Sequence, residues 1–450
     1  MQRFWLLVGI LVAGVLMSPG VASAQQRNAP PVASYTYTEN MHPMGYSPMG
    51  NTISPFTANS DLAFSGNLAF QGHYDGFRII NIASPANPRE ISFTTCAGNQ
   101  GDLVVYGDIL VRSWNSPAPA GATCDGEPVP TGFEGLHIFD ISDPRDPELV
   151  GSVEISARAG ADAVGCGSHT VTAVPDPARN RLVIYNQSGG TCGAGLTSLH
   201  VFEIPLDDPS NPTTPVAIPL AIAQGCHDSG VILGDANLMA CASGSAANVY
   251  DIGENQFPGG SLTAPVLLYT ISEPPVGTGG SWHSASFTWD GEVLVLGWEP
   301  GGGSQPECEA TDPSAKKSWF FYDAQTGAKL GQFELPRAQT SAENCTIHNY
   351  NIIPTDKRYV LVSGNYQAGI SVVDFTDPAN AVEVAYADPA PLVPTQLGGD
   401  WSTYYYNGRI YESDITRGLL VWNLSGKWDA GARKLPYLNP QTSEFTLPSP

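Results

Sequence analysis

Between about residues 55 and 425, short runs of alternating β-branched and aromatic residues are separated by clusters of Asp, Asn, Pro and Gly. One phrase recurs: GFRIINIASPANPREIS at 76–92, GLHIFDISDPRDPELVGS at 135–152 and GISVVDFTDPANAVEVAYAD at 369–388. Weaker copies are SLHVFEIPLDDPSNPTTPVAI, AANVYDIGENQFPGG, SWFFYDAQTGAKLGQFEL and RGLLVWNLSG. In each, the alternation predicts a strand, the polar cluster a turn, and the text after it a second strand. Before each phrase stands another hairpin, such as GDLVVYGDILVRS or HSASFTWDGEVLVLG. Seven hairpins followed by seven phrases predict seven four-stranded units of roughly 40–60 residues, an all-β, seven-bladed β-propeller.

The seventh phrase ends at Leu424 without an outer strand. The stretch ENMHPMGYSPMG at 39–50 reads like the outer-strand text of the other units. Residues near 40–47 are therefore expected to complete the last blade, so that an amino-terminal strand closes the propeller and removes a sheet edge. The same stretch carries Met41, His42, Met44 and Met49, a soft donor set that copper would also suit.

The units resemble those of the LVIVD-repeat family of exported bacterial β-propellers, on strand text seen here as ISVVDF and LHIFDI. The resemblance spans roughly 55–425; it implies the fold and export, and says almost nothing of activity.

The amino terminus, MQRFWLLVGILVAGVLMSPGVASAQQ, has one basic residue, a short interrupted apolar run and the small-residue site Ala22-Ser23-Ala24, the pattern of a secretory leader. An uncleaved membrane anchor is the alternative. The expected organisation is a signal peptide at 1–24, a flexible segment at 25–38, the propeller at 39–427 and a carboxy-terminal tail at 428–450. No later run reaches the roughly 20 apolar residues of a membrane helix, so a secreted or periplasmic protein is expected.

Export changes how the eight Cys read: as disulfides rather than thiolate ligands. Hairpin geometry suggests Cys96–Cys124, Cys166–Cys192, Cys226–Cys241 and Cys308–Cys345. A rival scheme pairs Cys124–Cys166, Cys192–Cys226 and Cys308–Cys345, leaving Cys96 and Cys241 over. The formal charge of −23, from 43 acidic against 20 basic side chains, disfavours nucleic acid and anionic lipid as partners.

Aligning the first hairpins places His169, His227, His283 and His348 at one position, the start of the innermost strand in blades three to six, with Asp400 there in blade seven and Asp61 and Asp102 within a residue of it in blades one and two. Innermost strands line the central channel, so these residues form a ring at one mouth. Four neutral imidazoles suit a divalent transition metal, Fe, Mn, Cu or Zn, and Asp228, Glu343 and Asp400 are candidates to orient them. Hydrogen-bonded channel fillers are the alternative reading. The plan is similar to that of carotenoid-cleaving oxygenases, propellers that hold iron with four His.

Trp282, Trp401 and Tyr350 crowd the same mouth as a possible wall for a small-molecule or glycan ligand. Alternation lets only about half of such residues face the channel. Insertions at 113–134 and 297–318 are expected to cover this face. No G-x-S-x-G, P-loop, H-E-x-x-H or EF-hand loop occurs. The expectation is a monomeric, exported, metal-dependent enzyme of oxidoreductase type; a non-catalytic extracellular scaffold and a metal-assisted polysaccharide lyase are the alternatives.

Overall fold

The structure, a computed structural model, describes residues 28–49, 57–155, 167–187, 198–219, 226–254, 259–272, 280–392 and 397–450. Its strands form seven four-stranded antiparallel blades, three of them extended by one short segment. The innermost strands are Asn59–Ser65, Leu103–Tyr106, Thr170–Asp176, Asp228–Ile232, Ser281–Phe287, Tyr350–Ile352 and Asp400–Tyr406, in blades one to seven. The outermost strand of blade seven is Met41–Pro48, paired antiparallel with Gly418–Leu424. Met41 is buried beside Trp422 in an interblade core and His42 meets the Ser425 hydroxyl, so these two lie in blade seven's sheet and not at the channel mouth. The expected leader and the Cys166–Cys192 pair lie outside the described residues.

Each blade is buried on both faces, which is why its middle strands read as nearly continuous apolar runs. In blade six, Leu361 and Val373 pack toward blade five beside Phe321, while Val360, Val362 and Val372 pack toward blade seven beside Ile410 and Trp422. Each such side chain contributes about 1.5–3 kcal/mol on burial. The recurrent phrase also encodes its own turn. The Asn or Asp that ends the third strand accepts from the main-chain N–H two residues on: Asn81 from Ala83, Asp140 from Ser142, Asp251 from Gly253, Asp323 from Gln325 and Asp374 from Thr376. These are Asx turns, which reverse the chain into the outer strand.

The carboxy-terminal segment is more than a tail. It crosses the channel on the side away from the imidazoles. Tyr437–Leu438 pairs with blade one and Thr442–Ser443 runs parallel to blade four. Between them the Asn439 amide brackets both the N–H and the C=O of Val105 in blade two, each at 2.8 Å. Thr442 donates to Ala173 of blade three, and Phe445 packs on Trp289 of blade five.

Disulfides join Cys96–Cys124, Cys226–Cys241 and Cys308–Cys345. The hairpin scheme accounts for all three; Cys124 and Cys226 are thereby withdrawn from the rival pairings. Bonds of this kind persist in non-reducing surroundings. No helix among the described residues is long and apolar enough to cross a membrane.

Candidate metal centre

The four histidines stand side by side around one mouth of the channel, with ring centroids 4.5 Å apart for His169 and His227, 4.0 Å for His227 and His283, and 4.5 Å for His283 and His348. Backbone geometry aims them. Trp282 pairs with Trp298 and Ser284 with Gly297, so His283 sits in a β-bulge without a cross-strand partner. A bulge re-aims a side chain out of the regular alternation.

The same bulge corrects the alignment of blade seven. Asp400 pairs with Asp414 and Ser402 with Ser413, leaving Trp401 in the place of His283. A bridge between Asn349 and Ser402 likewise sets Trp401 level with His348. Asp400 is thus one residue off the ring, and its carboxyl turns to Glu412, Asp414 and the Thr403 hydroxyl.

The outer nitrogens of two of the imidazoles go to main-chain oxygens rather than to the expected carboxylates, and Nδ1 of His283 is buried without a hydrogen-bond partner. Nδ1 of His227 lies 3.1 Å from the oxygen of His283, and Nδ1 of His348 lies 2.5 Å from the oxygen of Trp401. A carbonyl only accepts, so both Nδ1 atoms carry hydrogen and both Nε2 atoms keep a free lone pair, the form that binds a metal. His169 meets the Asn115 side chain at 3.1 Å. Asp228 lines the cavity but accepts from its neighbour's N–H, at Ser229, and Glu343 accepts from Thr340 in a local turn.

Burial, the largest cause, lowers the pKa of every ring histidine, and for His227 and His283 the neighbouring imidazoles lower it further; His169 falls to about 4 and His348 to about 3. The ring is therefore neutral near pH 7, and four cations are not forced together.

Sequence reasoning missed Glu299. It lies opposite Ser281 across the blade-five hairpin, and its carboxylate enters the ring. Its Oε2 is 3.6 Å from Nε2 of His283 and its Oε1 is 3.8 Å from Nε2 of His348. One ligand atom each from His227, His283 and Glu299 falls within 4.8 Å of the others. These gaps are long for hydrogen bonds. They approach ligand spacing, since two atoms each about 2.1 Å from one ion stand about 3.6 Å apart at an angle near 120°. Counting forward along GEVLVLGWE from the turn would have found Glu299. Burial raises its pKa to about 7.

A cavity of about 460 Å³ opens over this group, lined by all four histidines, Glu299, Tyr366, Trp401, Tyr74, Asp61, Asp102 and Asp228. Of the expected aromatic wall only Trp401 faces it. Trp282 is buried in an interblade core beside Phe320, and Tyr350 turns back to donate to the main chain of Ser284 and Val295. The insertions contribute Asn115, Glu299, Gly301 and Gly302. Gln441 of the carboxy-terminal segment also lines the cavity and reaches Asp61 at 3.2 Å.

No family model and no curated protein matches the chain. Among solved structures it is similar to Raptor of Chaetomium thermophilum, at 12% identity and a TM-score of 0.50 over 86% of this chain and 29% of that one. A mitotic checkpoint complex chain matches at 11% identity and a TM-score of 0.48, over 93% of this chain and 100% of that one. The chain thus spans under a third of the Raptor chain, and a likeness at this identity concerns the fold alone.

Proposed function

We propose that the protein is an exported, metal-dependent enzyme of oxidoreductase type, with a divalent transition metal held at the axis by His169, His227, His283 and His348 and approached by Glu299. The observation that carries this reading is the pair of bonds from Nδ1 of His227 and His348 to main-chain oxygens, which leave two neutral imidazoles with free Nε2 lone pairs beside a carboxylate. Nitrogen and carboxylate donors together suit iron, manganese, copper or zinc. The adjoining cavity of about 460 Å³ is of the size that takes a small molecule. This favours a small-molecule substrate over a polysaccharide strand, and so a redox or Lewis-acid role over a lyase.

Elemental analysis of untagged protein purified without chelators tests the reading. Close to one equivalent of a transition metal is expected, with loss of it in His283→Ala. Metal-free protein that also takes up none of Fe, Mn, Cu or Zn overturns it and leaves a non-catalytic scaffold.

A further inference from the structure

Tyr366 adopts φ of +52°. The other non-glycine residues with positive φ among those described are Asn99, Asp125, Asn180, Asn237 and Asn407, types whose side chains tolerate the left-handed region. A tyrosine does not, and a strained residue is retained where the surroundings fix it for a purpose.

The surroundings do fix it. The main chain of Tyr366 exchanges both hydrogen bonds with Asp400, N–H to O at 3.1 Å and O to N–H at 2.9 Å. A Cβ at Gly399 would stand 2.2 Å from the Tyr366 main chain, and one at Gly303 would stand 2.1 Å from its phenol. Two glycines thus make room for one residue, Gly399 for its main chain and Gly303 for its phenol, and that residue is only 2% exposed. Its ring lies 4.4 Å from that of His348, centroid to centroid, and its hydroxyl donates to Oε1 of Glu299 at 3.0 Å.

We infer that Tyr366 is a positioning residue for Glu299, making that carboxylate a one-oxygen arm of the metal site that adds an oxygen to the imidazole nitrogens. The phenol occupies Oε1, the oxygen nearer His348, and leaves Oε2 toward His283. A closed four-imidazole set would favour tetrahedral zinc in a structural role, whereas an added carboxylate favours five-coordinate or larger geometry and metals that keep an exchangeable position. The inference rests on the metal-site reading above.

Cobalt(II) alone is the probe, because its visible absorption reports coordination number. Metal-free wild type titrated with Co2+ is expected to give the weak bands of a five- or six-coordinate ion. Tyr366→Phe keeps the ring on His348 and removes only the hydroxyl. It is expected to bind Co2+ about 10- to 100-fold more weakly, the usual consequence of removing an outer-shell partner, with bands shifted toward the intense four-coordinate pattern. Glu299→Gln should give the same shifted spectrum. Tyr366→Phe matching wild type in both affinity and spectrum overturns the inference while the metal site stands. Wild type that binds no Co2+ overturns the site itself.

Discussion

Nδ1 of His227 donates to the main-chain oxygen of His283, the residue at the same position of the next blade, at 3.1 Å. His348 does the same to Trp401. The intervening links run through hydroxyls: Thr170 donates to the oxygen of His227, and Ser284 to that of His348 at 2.9 Å. Two of the four ring histidines are thus oriented by the backbone of a neighbour. Backbone can orient an imidazole without adding a charge, so the ring does not depend on the carboxylates beside it.

That arrangement separates ligands from bystanders. His227→Ala should lower metal affinity by more than the roughly 10- to 100-fold typical of outer-shell changes. Glu343→Gln should leave it unchanged, because that carboxylate is committed to Thr340. Metal content after equilibrium dialysis reads both. A large loss in Glu343→Gln would restore the carboxylate to an orienting role.

The carboxy-terminal segment should belong to the same folding unit as the blades. Asn439 is 2% exposed and its amide satisfies two groups of Val105 that face the channel. Asn439→Ala strands both, and should destabilise the protein by roughly 2 kcal/mol. Denaturant unfolding followed by tryptophan fluorescence measures this. An unchanged midpoint would show that the segment docks without contributing.

The docking is also expected to respond to pH. Burial raises the pKa of Glu444 from 4.5 to about 7, against the opposing effect of its bond from the Tyr437 hydroxyl. The folded state holds this proton more tightly than the unfolded chain. Its contribution to stability is therefore complete below pH 4.5 and lost as pH rises through about 7. Glu444→Gln should flatten the stability profile across that window. A variant that retains the wild-type slope would assign the slope to another group.

What could be read in advance, and what could not, follows from range. The blades were legible because alternation and the Asx turn at Asp140 or Asp374 are local, and the ring because His169, His227, His283 and His348 repeat one local context. Trp401 was mistaken for its neighbour Asp400 because a bulge adds a residue that hydrophobic alternation does not reveal. Glu299 and Tyr366 reach the ring from the second strand of one blade and a left-handed turn of the next. Neither belongs to a repeated phrase. The tail was opaque for a different reason: Asn439 and Thr442 bind strand edges through side chains, which leaves no periodicity in PYLNPQTSEF.

Asp400 itself supplies the last prediction. It is fully buried with Glu412 and Asp414, and only Asp414 has a cation, Arg417, at 2.6 Å. Glu412 already accepts from the Tyr35 hydroxyl and the Trp422 indole. Burial raises the pKa of Asp400 well above the usual carboxylate range, and the charges of Glu412 and Asp414 raise it further. Asp400 is therefore the member that burial and its neighbours favour in the protonated form, with Oδ2 accepting from Thr403 at 2.9 Å and the carboxylates of Glu412 and Asp414 close by. Asparagine keeps an acceptor for Thr403, offers a donor to the neighbouring carboxylates and cannot ionise. A raised acid pKa means stability lost as pH rises. Asp400→Asn should match wild type in acid and exceed it by of the order of 1 kcal/mol at alkaline pH, while Asp400→Ala, which strands the buried Thr403 hydroxyl, should lose about 1–3 kcal/mol. Thermal unfolding across pH decides it. If the Asn variant is the less stable at every pH, Asp400 is ionised in the folded protein.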